Sequence, residues 1–311
     1  MKPRRSLLFA PASDLRKAEK ALSLDADGVI LDLEDAVALA EKIKARSLAL
    51  DVLGRAGGKA VYVRVNGVAS PFLVGDLMAV MGGRPAGIVL PKAESAEEVK
   101  RVDWLMGQLE KEYEIPDQIE LIPLIETARG VINAYEIAAA GARVKCLAFG
   151  AVDYTLDIGT SLSAEGDETF YARAHLVVAS RAAGREAPID TVYPDLKNPE
   201  GLARECRLAR RLGYQGKLVI HPAQIGPVNE IFSPTEKEIA YARRVVEAFR
   251  EAESRGVAAV QLEGKFIDYP VAVWAERILA IAGCLGLPSA LEEKTENPGG
   301  SVFGTTAGES C

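Results

Sequence analysis

Short aliphatic and β-branched runs recur along the chain at residues 6–9, 28–33, 60–65, 87–90, 120–125, 145–149, 187–192 and 217–220. Their apolar positions are nearly continuous rather than alternating, the pattern of parallel strands covered on both faces. Between them lie stretches rich in Ala, Glu, Lys and Arg, at 14–24, 37–53, 95–112, 128–140, 169–183 and 200–212. Their apolar residues recur at a period near 3.6, which predicts amphipathic helices. Eight strand–helix repeats within roughly 220 residues suit a closed α/β barrel, a (β/α)8 TIM barrel, better than an open sheet.

The pattern continues past the eighth strand. Ser233-Pro234-Thr235-Glu236 reads as a capped helix start and leads into a charged helix ending near Gly256. Residues 257–268 are again strand-like, Pro270 opens a helix running to about Ala282, and Asn297-Pro298-Gly299-Gly300 begins a tail of small residues. The expected organisation is a barrel over 1–230, a C-terminal helical extension and lid over 231–285, and a disordered tail over 286–311.

Composition narrows the function. The 311 residues are 49% hydrophobic and 26% charged, an ordinary globular balance that argues against disorder. With 37 Lys and Arg against 44 Asp and Glu, the formal charge of −7 excludes a dedicated nucleic-acid binder, which needs clustered surplus cations. No run approaches the ~18 apolar residues of a membrane span. Cys146, Cys206, Cys284 and Cys311 contain no C-x-x-C pair, and the apolar run after Arg5 is too short for a signal peptide, so a cytoplasmic protein is expected. No two glycines stand two apart, which removes the dinucleotide fingerprint, and P-loop, G-x-S-x-G and H-E-x-x-H motifs are absent as well.

In such a barrel the chemistry collects where the strands end. The strand ends carry Asp32-Leu33-Glu34-Asp35, Arg64-Val65-Asn66, Pro91-Lys92, Glu126-Thr127, Gly150-Ala151-Val152-Asp153, Asp190 and His221-Pro222. Glu126 and Asp153 end neighbouring strands, and two carboxylates without His or Cys suit Mg²⁺ or Mn²⁺, although they would serve equally as salt-bridge partners. Arg64 has the planar fork that holds a 2-oxo acid by its carboxylate; its alternative is to neutralise Asp32, Glu34 and Asp35. Lys92 is a candidate for a Schiff base, an anion contact or plain solvation, and His221 for shaping the mouth.

These segments, from Arg5-Ser6-Leu7-Leu8-Phe9-Ala10-Pro11-Ala12 through Asp32-Leu33-Glu34-Asp35, Val63-Arg64-Val65-Asn66, Leu90-Pro91-Lys92, Ile125-Glu126-Thr127 and Gly150-Ala151-Val152-Asp153 to Ile220-His221-Pro222, resemble the citrate lyase β-subunit-like and malyl-CoA lyase family of the HpcH/HpaI aldolase superfamily. The resemblance covers about residues 4–283. It implies a barrel, usually trimeric or a dimer of trimers, that cleaves or forms a carbon–carbon bond between an acyl-CoA and a 2-oxo acid with Mg²⁺. It implies Glu126 and Asp153 as metal ligands and Arg64 as the oxo-acid arginine. Phe9 and Lys20 would belong to a CoA site, with Arg5, Arg16 and Lys17 as a basic patch. Gly264-Lys265-Phe266-Ile267-Asp268-Tyr269-Pro270 is similar to the segment carrying the family's catalytic aspartate, which makes Asp268 the candidate proton-transfer group, acting across a subunit boundary; its alternative is to cap the helix at Pro270. A subunit of a multi-protein citrate lyase and a non-catalytic acyl-CoA-binding barrel are the competing readings.

Overall fold

The computed structural model describes residues 3–287. The eight apolar runs form β1 (Ser6–Pro11), β2 (Gly28–Asp32), β3 (Ala60–Arg64), β4 (Gly87–Leu90), β5 (Glu120–Ile125), β6 (Ala148–Phe149), β7 (Ile189–Asp190) and β8 (Gly216–Val219). Each pairs in parallel with the next, and β8 returns to β1 to close the barrel. β6 and β7 are shorter than their runs. Pro188 has no N–H to give the ladder just before β7, so regular pairing is confined to a few residues.

Alternation within the strands sorts side chains between two cores. Leu7, Ile30, Tyr62, Val89, Ile122 and Leu218 are among those filling the barrel interior. Their neighbours Leu8, Leu31, Val63, Ile88, Leu121 and Val219 pack outward beneath the helices. Arg4 is buried at the N-terminal end, where its Nε donates to the Tyr62 hydroxyl at 3.2 Å and its other nitrogens pair with Glu120 and Glu186. That ion cluster seals the pole opposite the strand ends.

The helices of the barrel are α1 (Leu15–Leu22), α2 (Lys42–Leu53), α3 (Leu73–Met81), α4 (Ala96–Glu112), α5 (Ala128–Ile132), α6 (Ala134–Ala139), α7 (Ala151–Asp157), α8 (Asp167–Ala182), α9 (Pro199–Leu212) and α10 (Ile225–Phe232). Local chemistry starts and stops them. Ser95 and Glu98 form a capping box on α4, and α9 opens on Asn198 and Pro199 and ends at Gly213 with φ 109°. The expected helix over 128–140 divides at Asn133, whose Nδ2 donates to the Glu94 carbonyl at 2.8 Å. The one over 37–53 begins only at Lys42. The unread helix α3, LVGDLMAVM, is so uniformly apolar that no 3.6-residue period stands out.

Residues to Ser233 make one compact unit and Pro234 begins a second, so the expected junction at 230 lies inside α10. The second unit contains α11 (Glu236–Ser254), an antiparallel hairpin of β9 (Ala259–Leu262) and β10 (Lys265–Asp268), and α12 (Tyr269–Cys284). Thr235 and Glu238 form the capping box of α11. The hairpin turns through Glu263 and Gly264, both with positive φ, as a two-residue turn requires. Val245, Phe249, Ile267, Ala272 and Ala275 make this unit's own core. Apart from its first two residues, the tail expected at 286–311 lies outside the described residues. Among the described residues no helix is long and apolar enough to cross a membrane.

Candidate active site

Glu34, Asp35 and Arg64, expected at the mouth, converge there around one aspartate, Asp32. Asp32, the last residue of β2, accepts the N–H groups of Glu34 at 2.8 Å and Ala36 at 3.0 Å, which folds the following loop back on the strand end. Its two oxygens also take Arg64 Nε at 2.8 Å and Nη2 at 2.6 Å. Arg64 is 9% exposed, and its Nη1 lies 3.2 Å from Glu34 and 3.3 Å from Asp35. Its guanidinium carbon sits 4.8 Å from the centre of the Phe9 ring. Burial opposes its charge, but the hydrogen bonds to Asp32 and the nearby acids outweigh that and strengthen its hold on the proton. Beneath the loop, Lys42 Nζ donates to the carbonyls of Leu33 and Glu34, fixing Glu34 in place.

A second group assembles across the mouth. Glu126, 2% exposed, follows β5 and accepts the Lys92 backbone N–H at 2.9 Å on Oε1. Its Oε2 fits against Gly150, where a Cβ would come within 2.4 Å. Lys92 Nζ donates to Glu34 Oε1 at 2.8 Å and lies 3.9 Å from both Glu126 Oε1 and Asp153 Oδ1. Burial pushes Glu126 up to about 8; Lys92 works against that shift, whereas Asp153 and Glu34 add to it. Burial likewise raises Glu34 above the usual carboxylate range despite Arg64 and Lys92.

Several positions differ from expectation. β6 stops at Phe149, and Asp153 stands not on the strand but in the first turn of α7, where the helix dipole favours a carboxylate. Thr191 Oγ1 accepts the Ala151 N–H at 2.8 Å and anchors that helix start. Asp190 is not at the mouth. The interior face of β7 belongs to Ile189, so Asp190 points outward and pairs with Arg173 and Lys217. His221 Nδ1 accepts the Ala223 N–H and caps the turn after β8. Arg5, expected in the basic patch, is bound at the opposite end of β1 to Asp27 and Ser233. The patch itself exists: Phe9, Arg16, Lys17, Lys20, Ile220 and His221 line a groove of about 580 Å³. In the second unit, Asp268 caps α12, accepting the Val271 N–H at 3.4 Å.

Glu126 and Asp153 are the two residues at the mouth that could hold a hard divalent cation. No cluster of three or more His, Cys, Asp or Glu able to hold a metal occurs among the described residues. Glu126 and Asp153 already share one cation, the Lys92 ammonium, and the space a Gly150 Cβ would fill is left to the Glu126 carboxylate. Two carboxylates leave the remaining positions to water and substrate oxygens, as Mg²⁺ prefers. Thr191, Lys42 and the Glu34–Lys92 pair were not read from the sequence as parts of this site, and Gly150 was read only as part of the end of strand six. The available signals were a glycine immediately after strand six and a lysine on the buried side of a helix.

A family model described as HpcH/HpaI aldolase/citrate lyase matches residues 5–222, and one described as a C-C bond lyase of the TIM-barrel fold matches 159–287. The citrate lyase subunit beta of Leuconostoc mesenteroides subsp. cremoris is 39% identical over 282 residues, covering 90% of this chain and 93% of its own. The mitochondrial citramalyl-CoA lyase of Rattus norvegicus is 34% identical over 295 residues, covering 90% of this chain and 86% of its own. The crystal structure of CitE from Mycobacterium tuberculosis in complex with magnesium, acetoacetate and coenzyme A is similar at a TM-score of 0.74 and 35% identity, with 90% of this chain and 98% of that one covered.

Proposed function

The chain belongs to the HpcH/HpaI aldolase/citrate lyase family, and from that premise we propose that it is a Mg²⁺-dependent lyase of 3-hydroxyacyl-CoA thioesters. Citramalyl-CoA, malyl-CoA and methylmalyl-CoA are the substrates of this form, each giving a short acyl-CoA and a 2-oxo acid. The observation that carries the reading is the convergence of Glu126 and Asp153 beside an arginine whose other edge is already fixed.

Bound by Glu126 and Asp153, Mg²⁺ or Mn²⁺ would supply a Lewis acid for the substrate oxygen that becomes the keto group, a contribution on the order of several kcal/mol. Arg64 orients the oxo-acid carboxylate. Asp32 occupies its Nε/Nη2 edge, so the incoming carboxylate meets Nη1, where it displaces Asp35, the one neighbour that is 55% exposed and free to swing into water. Phe9 braces the guanidinium plane from below. The groove with Arg16, Lys17 and Lys20 offers cations to the phosphates of CoA and an apolar wall to its pantetheine arm. Asp268 returns a proton to the thioester enolate on cleavage, or removes one in condensation, at the mouth of a neighbouring subunit.

A homotrimer, or a dimer of trimers, would provide that neighbour. Two faces of the barrel unit support assembly: Ile43, Val74 and Met78 are exposed on α2 and α3, and Leu156, Phe170 and Tyr171 on α7 and α8. A cytoplasmic location fits the unpaired, buried Cys146 and Cys206.

The 39% identity to a citrate lyase subunit beta favours one second reading, a subunit acting on a carrier-bound thioester within a complex. Purified chain alone, given citramalyl-CoA and malyl-CoA with and without EDTA, separates the two. EDTA-sensitive turnover of either free thioester supports the free-standing lyase. Turnover that appears only with partner subunits supports the second reading, and tight CoA binding with no turnover in either setting leaves a binding barrel.

A further inference from the structure

The geometry points to Lys92 as a built-in place-holding cation, which from its anchor on Glu34 offsets the charge of the Glu126–Asp153 pair when Mg²⁺ is absent and competes with the ion for that pair. The inference rests on the reading of Glu126 and Asp153 as the metal ligands. Three observations carry it. The Lys92 ammonium is equidistant, at 3.9 Å, from one oxygen of each carboxylate, and its short hydrogen bond goes elsewhere, to Glu34 Oε1 at 2.8 Å. It thus lies beside both carboxylates while anchored to a third group outside the pair.

The backbone enforces this address. Lys92 has φ 50°, a left-handed conformation that side-chain-bearing residues rarely take, and in that conformation its N–H donates to Glu126 Oε1. One residue therefore fixes the Glu126 carboxylate through its main chain and balances it through its side chain. The anchor is fixed too. Glu34 is buried at 9% exposure, with its carbonyl on Lys42 and its Oε2 near Arg64 but without a hydrogen bond. Two carboxylates brought together at the mouth repel each other, and an ammonium at this distance offsets that repulsion. The same positive charge opposes Mg²⁺, so Lys92 lowers the affinity of the site while keeping the metal-free mouth assembled. Lys92 is a positioning residue in this account, and it forms no bond to substrate.

Calorimetric titration of Mg²⁺ into chelator-treated protein tests the inference without any turnover measurement. Lys92→Met and Lys92→Gln are both expected to bind Mg²⁺ at least about fivefold more tightly than wild type, because a like charge has gone from beside the ligands. Their metal-free forms should melt lower, and Mg²⁺ should raise their Tm by more. Glu34→Gln, which frees the ammonium to move onto the metal ligands, should weaken Mg²⁺ binding, and the weakening should largely vanish in the Lys92→Met/Glu34→Gln double variant. Unchanged or weaker Mg²⁺ binding in both Lys92 variants overturns the inference, as does an equal Glu34→Gln effect in both backgrounds. Asp153→Ala is the control on the premise. If it binds Mg²⁺ as tightly as wild type, or wild type binds none, the two-carboxylate site itself is wrong and the place-holder falls with it.

Discussion

Arg64 meets Asp32 edge to edge, Nε to Oδ1 at 2.8 Å and Nη2 to Oδ2 at 2.6 Å, and this pairing fixes the plane of the guanidinium over Phe9. An arginine held this way has one direction left in which to take a second carboxylate. An ammonium could keep the charge but not the plane. Arg64→Lys should therefore raise the KM for the 2-oxo acid in the condensation direction by at least about tenfold and leave the KM for the acyl-CoA nearly unchanged. Wild-type kcat/KM in this variant would remove Arg64 from the oxo-acid site.

Metal dependence should reside in Asp153 more than in the fold. Its side chain is 36% exposed in the first turn of α7, so Asp153→Ala gives up only a helix-dipole contribution of about 0.3–1 kcal/mol. Turnover should vanish while circular dichroism and Tm stay near wild type. EDTA should abolish wild-type activity, and Mg²⁺ or Mn²⁺ should restore it. Full activity in EDTA together with borohydride trapping of substrate on Lys92 would instead point to a Schiff-base aldolase.

Gly150 offers a steric test of the same site. Its φ of −115° suits any residue, but an added Cβ would meet Glu126 Oε2 at 2.4 Å and Glu126 Cβ at 2.7 Å. Gly150→Ala should displace the carboxylate and lower kcat/KM by roughly 100-fold, as small misplacements of catalytic groups do. Gly283→Ala in α12, where a Cβ meets nothing within 4 Å, is the matched control and should be active and slightly more stable.

Stability should depend on pH through Asp190. Burial works against its charge, but Arg173 and Lys217 outweigh burial and hold it below the ordinary aspartate value of about 3.9. A carboxyl lowered in the fold contributes its stabilisation in full above that ordinary value and loses it as the pH falls further. Asp190→Asn should cost at most about 3–5 kcal/mol at pH 7, since it leaves the buried Arg173 and Lys217 to share Glu205 alone, and the gap to wild type should narrow below pH ~4. Urea unfolding from pH 7 to 3 would show it, and a gap constant over that range would assign the cost to packing.

Asp268 separates stability from rate. As the cap of α12 it can be replaced by Asn with little loss, since both side chains accept the Val271 N–H. As the proton-transfer group it cannot, and Asp268→Asn should lower kcat by roughly 10²–10⁴-fold. Mixing Asp268→Asn with Asp153→Ala subunits should recover part of the activity, because some mouths would then join an intact metal site to an intact aspartate. No recovery on mixing would place Asp268 at its own subunit's mouth or outside catalysis.

The amino-acid sequence by itself determined the barrel and the two helices of the second unit, while the strand-like stretch at 257–268 proved to be a two-strand hairpin. Continuous apolar runs separated by amphipathic stretches state strand and helix locally, and caps such as Ser95, Thr235 and Pro270 mark helix starts without reference to anything distant. It also placed Arg64, Lys92 and Glu126 at the mouth, because a parallel barrel brings every strand's C-terminal end to one face. Tertiary structure decided what those residues do to one another. Whether Asp190 faces the mouth or the helices turns on a one-residue alternation in a strand of two residues. That Lys92 reaches Glu34, Glu126 and Asp153 depends on one positive φ and on four strand ends meeting, and Arg64's orientation depends on Asp32, 32 residues earlier. Hydrogen bonds and charge pairs act over a few ångströms in space, and only the closed barrel sets those distances between residues far apart in the chain.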